Sequence, residues 1–141
     1  MKTFRILGIL SLILVVAGFC LPWLEFYGLI SGLRAVYIGF SNIFLGGGMH
    51  LLDSIVLFAL IPLLSALAVW RIFRPNEYSV YPLIYILLID LTVLFALKMI
   101  SGFVSLRHIY TGFYIMLTGV LLINALTLSL FTQRRKLAQL H

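Results

Sequence analysis

The stretch VYPLIYILLIDLTVLFAL, residues 80–97, decides the fold of this protein. Asp90 is the one residue within it whose side chain is charged at neutral pH in water. An apolar run of this length can cross the hydrocarbon core of a bilayer as a helix. The sequence therefore predicts a transmembrane helix over residues 80–98, with an acidic side chain near its middle.

Three more apolar runs flank this stretch, and they predict spans over residues 6–22, 51–70 and 109–131. The chain of 141 residues is 63% hydrophobic and 10% charged, which is far from the composition of a water-soluble domain. We therefore expect an all-α membrane protein, a bundle of four transmembrane helices that forms a single domain over residues 1–141.

The basic residues are distributed unevenly between the two ends of the predicted spans. One end has Arg34, Lys98 and Arg107, and the end with both termini has Lys2, Arg5, Arg71, Arg74, Arg134, Arg135 and Lys136. Because cytoplasmic segments are enriched in Lys and Arg, both termini are predicted to be cytoplasmic. We expect a bacterial plasma (inner) membrane, with Arg134, Arg135 and Lys136 at anionic lipid headgroups.

Aromatic residues near the ends of the spans agree with these boundaries. Tryptophan and tyrosine favour the headgroup level of a membrane, where the ring is in an apolar layer and its polar atom meets water. The sequence therefore predicts a headgroup-level position for Trp23, Trp70, Tyr78, Tyr81 and Tyr110.

The first outer loop, residues 23–50, is too apolar to be a flexible linker. Residues 24–27 and 33–38 are rich in strand-forming side chains and flank a segment with two glycines, which predicts a short β-hairpin over the bundle. For residues 37–45 a re-entrant or interfacial segment is the alternative. We expect the loop to be partly ordered.

Asp90 is the most informative position. An ionised carboxylate at the centre of a membrane costs at least about 2.5 to 3.5 kcal/mol on insertion scales, so Asp90 should be neutral, face the bundle or meet a partner chain. Folding spans three and four into a hairpin puts Thr118 at nearly the same depth, which makes Thr118 the expected donor. Asp90 is either a proton-binding or substrate-binding group of a transporter, or part of an interhelical hydrogen bond.

A second polar layer is predicted nearer the cytoplasmic ends, with one residue from each span: Ser11, Ser65, Tyr85 and Asn124. This layer either lines a path for an ion or lets neighbouring helices satisfy one another. Pro62 is expected to kink the second span and to free a carbonyl group for one of these side chains.

A weaker pattern places His50, Asp53, His108 and Glu25 at the outer surface, where imidazole and carboxylate groups suit several divalent ions. His50 or His108 is also a candidate axial ligand for haem. The H-E-x-x-H pattern is absent, and Cys20 is the single cysteine, so the chain forms no thiolate zinc cluster of its own. We predict no cofactor, with haem or metal at His50 and His108 as the alternative.

The sequence has no nucleotide-binding loop and no nucleophile elbow, and its basic residues lie at span ends, so we expect neither an enzyme nor a nucleic-acid-binding protein. We predict a non-catalytic accessory or structural subunit that associates with membrane lipids, with other integral membrane subunits or with itself. The alternative is a small oligomeric proton- or cation-coupled transporter or channel that uses Asp90.

The long first outer loop begins with Pro22-Trp23-Leu24-Glu25, and the second outer loop is short. This layout resembles that of small tetraspan proteins such as claudins. Claudins carry a W-GLW-C-C pattern there, whereas this loop has Trp23 and no cysteine, so no claudin function carries over. The chain is also similar in size to small multidrug resistance exporters, but their key glutamate lies in the first span, which has no acid here.

Overall fold

The computed structural model describes residues 2–25, 29–45, 54–74, 80–103 and 109–138. Most of these residues are helical, and a small part forms a two-stranded sheet. The elements in chain order are α1 (Lys2–Cys20), β1 (Pro22–Glu25), β2 (Leu29–Ser31), α2 (Gly32–Leu45), a 3₁₀ turn (Ser54–Ala59), α3 (Leu60–Ile72), α4 (Tyr81–Phe103) and α5 (Thr111–Ala138).

Among the described residues, four helical segments are long and apolar enough to cross a membrane, which confirms the four spans expected from the sequence. They are Thr3–Cys20, Ile55–Ile72, Tyr81–Gly102 and Thr111–Gln133. The last helix continues to Ala138, past the expected end at residue 131, because neither glycine nor proline follows Gly119 to stop it. The side of the membrane on which the termini lie stays a prediction.

The four spans follow one another around the bundle in chain order. Helix α1 packs on α3, α3 on α4, α4 on α5, and α5 returns to α1, while α3 and α5 also meet across the middle. Each span contributes a fully buried aliphatic side chain to the centre: Val15, Ile61, Ile89 and Ile123. We call the end with β1, β2 and α2 the hairpin end, and the opposite one the termini end.

The contact between α1 and α5 is the most extensive in the bundle. Gly18 lies directly against the α5 backbone at Met116, and a Cβ atom at Gly119 would come within 2.7 Å of the Val15 backbone nitrogen. No larger residue fits at either position unless the helices separate. Small residues are what allow membrane helices to approach so closely. The first and last spans are therefore packed backbone to backbone.

The outer loop contains the expected β-hairpin, but with a different second strand. β1 and β2 pair antiparallel, with Leu24 opposite Ile30, and the register is irregular between Pro22 and Leu24. The prediction of a strand over residues 33–38 is wrong, because that segment belongs to α2. Gly32, Ala35, Val36 and Gly39 are buried at helical spacing, and α2 packs on the 3₁₀ turn, so tertiary packing overrides strand propensity here.

Trp23 is located at the irregularity in β1 and is buried, with 1% of its surface exposed. Its ring contacts Phe19, Phe58 and Phe113, with centroid separations of 5.4, 5.9 and 5.3 Å. Irregularities of this kind often redirect a side chain from the face of a sheet. Trp23 therefore joins α1, the 3₁₀ turn and α5 in one aromatic cluster. Its headgroup-level position stays a prediction.

Within the described part of the chain, two hydrogen bonds hold Trp23 in this position. The indole nitrogen donates to the Gly18 carbonyl oxygen over 2.8 Å, near the end of α1, where carbonyl groups have no partner within the helix. The Trp23 carbonyl oxygen accepts from the Tyr110 backbone nitrogen, also over 2.8 Å. By contrast, Trp70 and Tyr81 are exposed at the termini end.

Pro62 lies in the first turn of α3, just after the 3₁₀ turn that opens the second span. Proline is tolerated in a first turn because its missing N–H has no partner within the helix there. The second span therefore changes from 3₁₀ to α geometry next to the proline that was expected to kink it.

Candidate functional site

Asp90 lies at the boundary between the buried and the exposed face of α4, and its side chain is half-buried. Ile86 and Val93, one turn away on one side, are buried, whereas Leu87 and Leu94, one turn away on the other, are exposed. Residues three or four positions apart share a helix face. Asp90 is therefore neither in the centre of the bundle nor fully on its surface.

Asn124 of α5 is the partner of Asp90. The Asn124 side-chain nitrogen Nδ2 donates a hydrogen bond to Asp90 Oδ1 over 2.7 Å. A carboxyl oxygen accepts such a bond whether the group is ionised or protonated, so the pair does not require a charged Asp90. Asp90 and Asn124 belong to two separate polar groups in the prediction from the sequence, whereas the structure brings their side chains into contact.

The prediction that Thr118 donates to Asp90 is wrong. The Thr118 side chain is exposed, and its hydroxyl donates to the Tyr114 carbonyl oxygen in its own helix over 2.8 Å. Pairing Asp90 with Thr118 assumes a hairpin centred on residue 104, since (90 + 118)/2 = 104, whereas α4 continues to Phe103. The observed pair joins Asp90 to Asn124, six positions further along α5 than Thr118.

We call the contact between α4 and α5 around Asp90 and Asn124 the α4–α5 seam. It is sparser than the contacts of α1 with α5 and of α3 with α4. Large apolar side chains beside the seam face away from the bundle: Leu87, Leu91, Leu94 and Leu121. The half-buried carboxyl group thus lies at a weakly packed boundary whose surroundings are apolar.

Three buried oxygen atoms have no hydrogen-bond partner among the described residues: Ser65 Oγ, Asn124 Oδ1 and Thr127 Oγ1. A buried polar atom without a partner costs about 1 to 3 kcal/mol. Thr127 is not among the polar residues predicted from the sequence; the signal for it is its position three residues after Asn124, which places it on a neighbouring part of the same helix face. The spans therefore retain unused hydrogen-bonding capacity near Asp90 on α5, and at Ser65 on α3.

The predicted polar layer of Ser11, Ser65, Tyr85 and Asn124 is only partly buried. Ser11 and Ser65 are buried, but Tyr85 and Asn124 are half-buried. The Ser11 hydroxyl donates to the Leu7 carbonyl oxygen within α1 over 2.6 Å. Among the described residues, Asn124 is the member of this layer whose side chain bonds to another span, and it bonds to Asp90.

The remaining site predictions lie outside the described residues. His50, Asp53 and His108 fall in connections that the structure does not describe, and the side chain of Glu25 is likewise outside the description. The same holds for the side chains of the lipid-headgroup residues, Arg134, Arg135 and Lys136, whose backbone belongs to the last turns of α5. The metal, haem and headgroup assignments stay predictions.

The candidate site therefore consists of a carboxyl group and a carboxamide on two membrane-spanning helices. Such groups can exchange hydrogen bonds, take up a proton, or receive a polar side chain from another helix. Comparison with known protein families, with known protein sequences and with solved structures found no match to this chain.

Proposed function

We propose that this chain is a non-catalytic subunit of a membrane assembly and that it binds a transmembrane helix of its partner at the α4–α5 seam. The observation that carries the proposal is the half-buried Asp90, which accepts one side-chain bond from within the described residues, that of Asn124, at an apolar boundary. Inserting an aspartate at mid-membrane costs about 2.5 to 3.5 kcal/mol, whereas one interhelical hydrogen bond contributes about 0.6 kcal/mol on average. A polar group from a partner helix offsets the difference.

The chemistry of the partner helix follows from the polar and apolar groups at the α4–α5 seam. Asp90 accepts hydrogen bonds, and the flanking leucines offer an apolar surface for helix packing. The fitting partner is a transmembrane helix with a hydroxyl, amide or basic side chain at the depth of Asp90. That helix belongs either to a larger membrane protein or to a second copy of this chain.

Site-specific photo-crosslinking in intact membranes tests the proposal. A photoreactive residue is introduced at Leu94 or Leu121, which lie one turn from Asp90 and Asn124, and at the exposed Leu63 of α3 as the matched control. We expect a discrete cross-linked species from positions 94 and 121, absent from position 63 and lost when Asp90→Leu is added. Equal cross-linking from all three positions, or no effect of Asp90→Leu, would contradict the proposal.

We also propose that the termini end is cytoplasmic, on the basis of its basic residues. In a Cys20→Ser background, Ser101→Cys reports the hairpin end and Gln133→Cys the termini end, and both native side chains are exposed. A membrane-impermeant maleimide should label residue 101 in intact cells, and residue 133 only after permeabilisation. The reverse pattern would invert the orientation.

The second candidate is a proton- or cation-coupled transporter. It is favoured by the Ser65, Asn124 and Thr127 oxygens, which have no partner in the part of the chain that the structure describes, because a transported proton or cation needs oxygen ligands along its path. Ion flux is measured in proteoliposomes that contain the wild type or Asp90→Asn. Loss of flux in Asp90→Asn with the cross-linked species retained would favour transport. Loss of the cross-linked species in Asp90→Asn, together with no ion flux in the wild type, would favour the role as a subunit.

A further inference from the structure

The hairpin end of the bundle has an open groove beside α2. It has a volume of about 560 Å³ and is lined by Ser31, Leu33, Arg34, Val36, Tyr37 and Phe40. Sites for small ligands commonly measure roughly 300 to 1,000 Å³ and combine mostly apolar walls with a few polar groups. This groove has that composition, with a single arginine as its charged group.

The outward face of α2 is mostly apolar, with Arg34 as an exposed cation near its start. Leu33, Tyr37, Phe40 and Phe44 follow one another at helical spacing, and all four are exposed, Tyr37 to 72% and Phe44 to 84%. Exposed apolar surface of this kind marks a contact with a membrane or a partner. α2 follows the hairpin that comes directly after a membrane span, so lipid is an apolar phase within reach of this helix.

Arg34 is held at the rim of the groove. Its guanidinium nitrogen Nη1 donates to the Leu29 carbonyl oxygen of β2 over 2.9 Å, and its backbone nitrogen donates to Ser31 Oγ over 3.2 Å. A guanidinium group has five N–H donors, so the bond to Leu29 leaves others for an anion. The side chain is exposed, so these donors are accessible. Arginine matches the geometry of phosphate especially well.

We propose that this groove binds one phospholipid molecule, with its phosphate on Arg34 and an acyl chain along Leu33, Tyr37 and Phe40. The charge and the apolar wall occur side by side, as in the headgroup and chain of a lipid. The proposal does not depend on the α4–α5 seam, which involves other helices.

Native mass spectrometry of the full chain in mild detergent tests the charged part of the site. The protein is incubated with equal amounts of phosphatidylglycerol and of diacylglycerol with the same acyl chains, which lacks the phosphate. We expect the wild type to retain one phosphatidylglycerol in preference to diacylglycerol. Arg34→Gln should lower this retention by about tenfold or more, the effect of losing roughly one charge-assisted hydrogen bond.

Lys98→Gln is the matched control, because Lys98 is also an exposed cation in the hairpin-end half of its helix but does not line the groove. It should leave lipid retention unchanged.

Arg34→Lys separates binding from folding, since it keeps the charge and loses the paired donors. It should retain less lipid than the wild type and more than Arg34→Gln.

A second pair of variants tests the apolar wall. Phe40→Ser removes a groove residue, whereas Phe44→Ser removes an exposed phenylalanine of the same helix that does not line the groove. We expect Phe40→Ser to weaken retention of phosphatidylglycerol and Phe44→Ser to leave it near the wild-type value.

Three results would overturn the proposal. Undiminished retention in Arg34→Gln would exclude the phosphate contact. Equal losses in Arg34→Gln and Lys98→Gln would reveal diffuse attraction of anionic lipid to the hairpin end. A second polypeptide bound in place of lipid and released by Phe40→Ser would make the groove a protein interface.

Discussion

The same helix, α5, packs in two very different ways on its two sides. Against α1 it makes a glycine-lined contact in which the backbones of the two helices touch at Gly18 and Gly119. Against α4 it makes a sparse contact in which the Asn124 carboxamide meets the Asp90 carboxyl group. The α1–α5 contact is therefore a close fit between two helix backbones, whereas the α4–α5 contact includes a hydrogen bond between two polar side chains.

We therefore expect the α1–α5 contact to stabilise the fold and the α4–α5 seam to serve the proposed association with a partner. Lipid cannot replace the contact between α1 and α5, because no lipid chain fits between two helix backbones that meet at small residues. A polar pair at a sparse seam can exchange partners, because a hydrogen-bonding group from another helix can join or replace Asn124. We therefore expect substitutions at the α1–α5 contact to affect folding, and substitutions at the seam to affect association.

The largest effect is expected from Gly119→Leu. The new side chain would collide with the α1 backbone at Val15, which cannot move away without separating the spans. Overpacking costs about 1 to 3 kcal/mol where side chains can adjust, and more is expected here. Little folded protein should be recovered, as judged by size-exclusion chromatography and thermal unfolding.

Gly102→Leu is the control for this substitution, because a Cβ atom at Gly102 meets nothing within 4 Å among the described residues. Its unfolding temperature should stay close to that of the wild type. An equal loss of stability in both variants would show that the helices tolerate no added leucine. The close approach of α1 and α5 would then not be the cause of the loss in Gly119→Leu.

The next effect is expected at Trp23, whose ring joins α1 to α5. Truncating a buried tryptophan to alanine typically costs about 3 to 5 kcal/mol. Trp23→Phe keeps most of the ring but removes the bond to the Gly18 carbonyl, a loss of about 0.5 to 1.5 kcal/mol. Thermal unfolding in detergent should rank wild type, Trp23→Phe and Trp23→Ala in that order. A wild-type transition for Trp23→Ala would contradict the burial of this ring.

A smaller effect is expected at the seam. In a double-mutant cycle, Asp90→Ala and Asn124→Ala should show a coupling of about 0.6 kcal/mol, with about 1.7 kcal/mol as the upper end for interhelical bonds in membranes. The measurement is reversible unfolding of both single variants and the double variant. A parallel cycle with Thr118→Ala should show no coupling to Asp90, since Thr118 bonds within its own helix. Coupling to Thr118 in place of Asn124 would refute the observed pair.

The smallest effect is expected from Ser65→Ala. The Ser65 hydroxyl is buried with no partner among the described residues, so its removal should leave stability unchanged or raise it slightly. Ser11→Ala is the comparison, because the Ser11 hydroxyl has a bond to lose, worth about 0.5 to 1.5 kcal/mol. A large loss of stability in Ser65→Ala would mean that this hydroxyl has a partner in the membrane, such as a bound water or ion.

The parts of the fold that could be predicted are those that depend on local composition. Asp90 was recognised as the central polar group because any acid in an apolar run is costly, wherever its helix packs. Its partner was not recognised, because pairing Asp90 with Asn124 requires the register of two helices, which a shift in the connection between them changes. Part of α2 is predicted to be a strand because Val36, Tyr37 and Ile38 favour strands. The helical spacing of Gly32, Ala35 and Gly39 is the signal that indicates a helix instead.

By itself, the sequence determined that four segments are apolar enough to enter a membrane and that one of them carries an acid. These properties are sums over neighbouring residues, so they need no knowledge of the rest of the chain. Only the tertiary structure decided that Trp23 is buried, that α1 and α5 touch at glycines, and that Asn124 bonds to Asp90. Each of these depends on how helices cross and in which register, and small changes in position along the chain alter both.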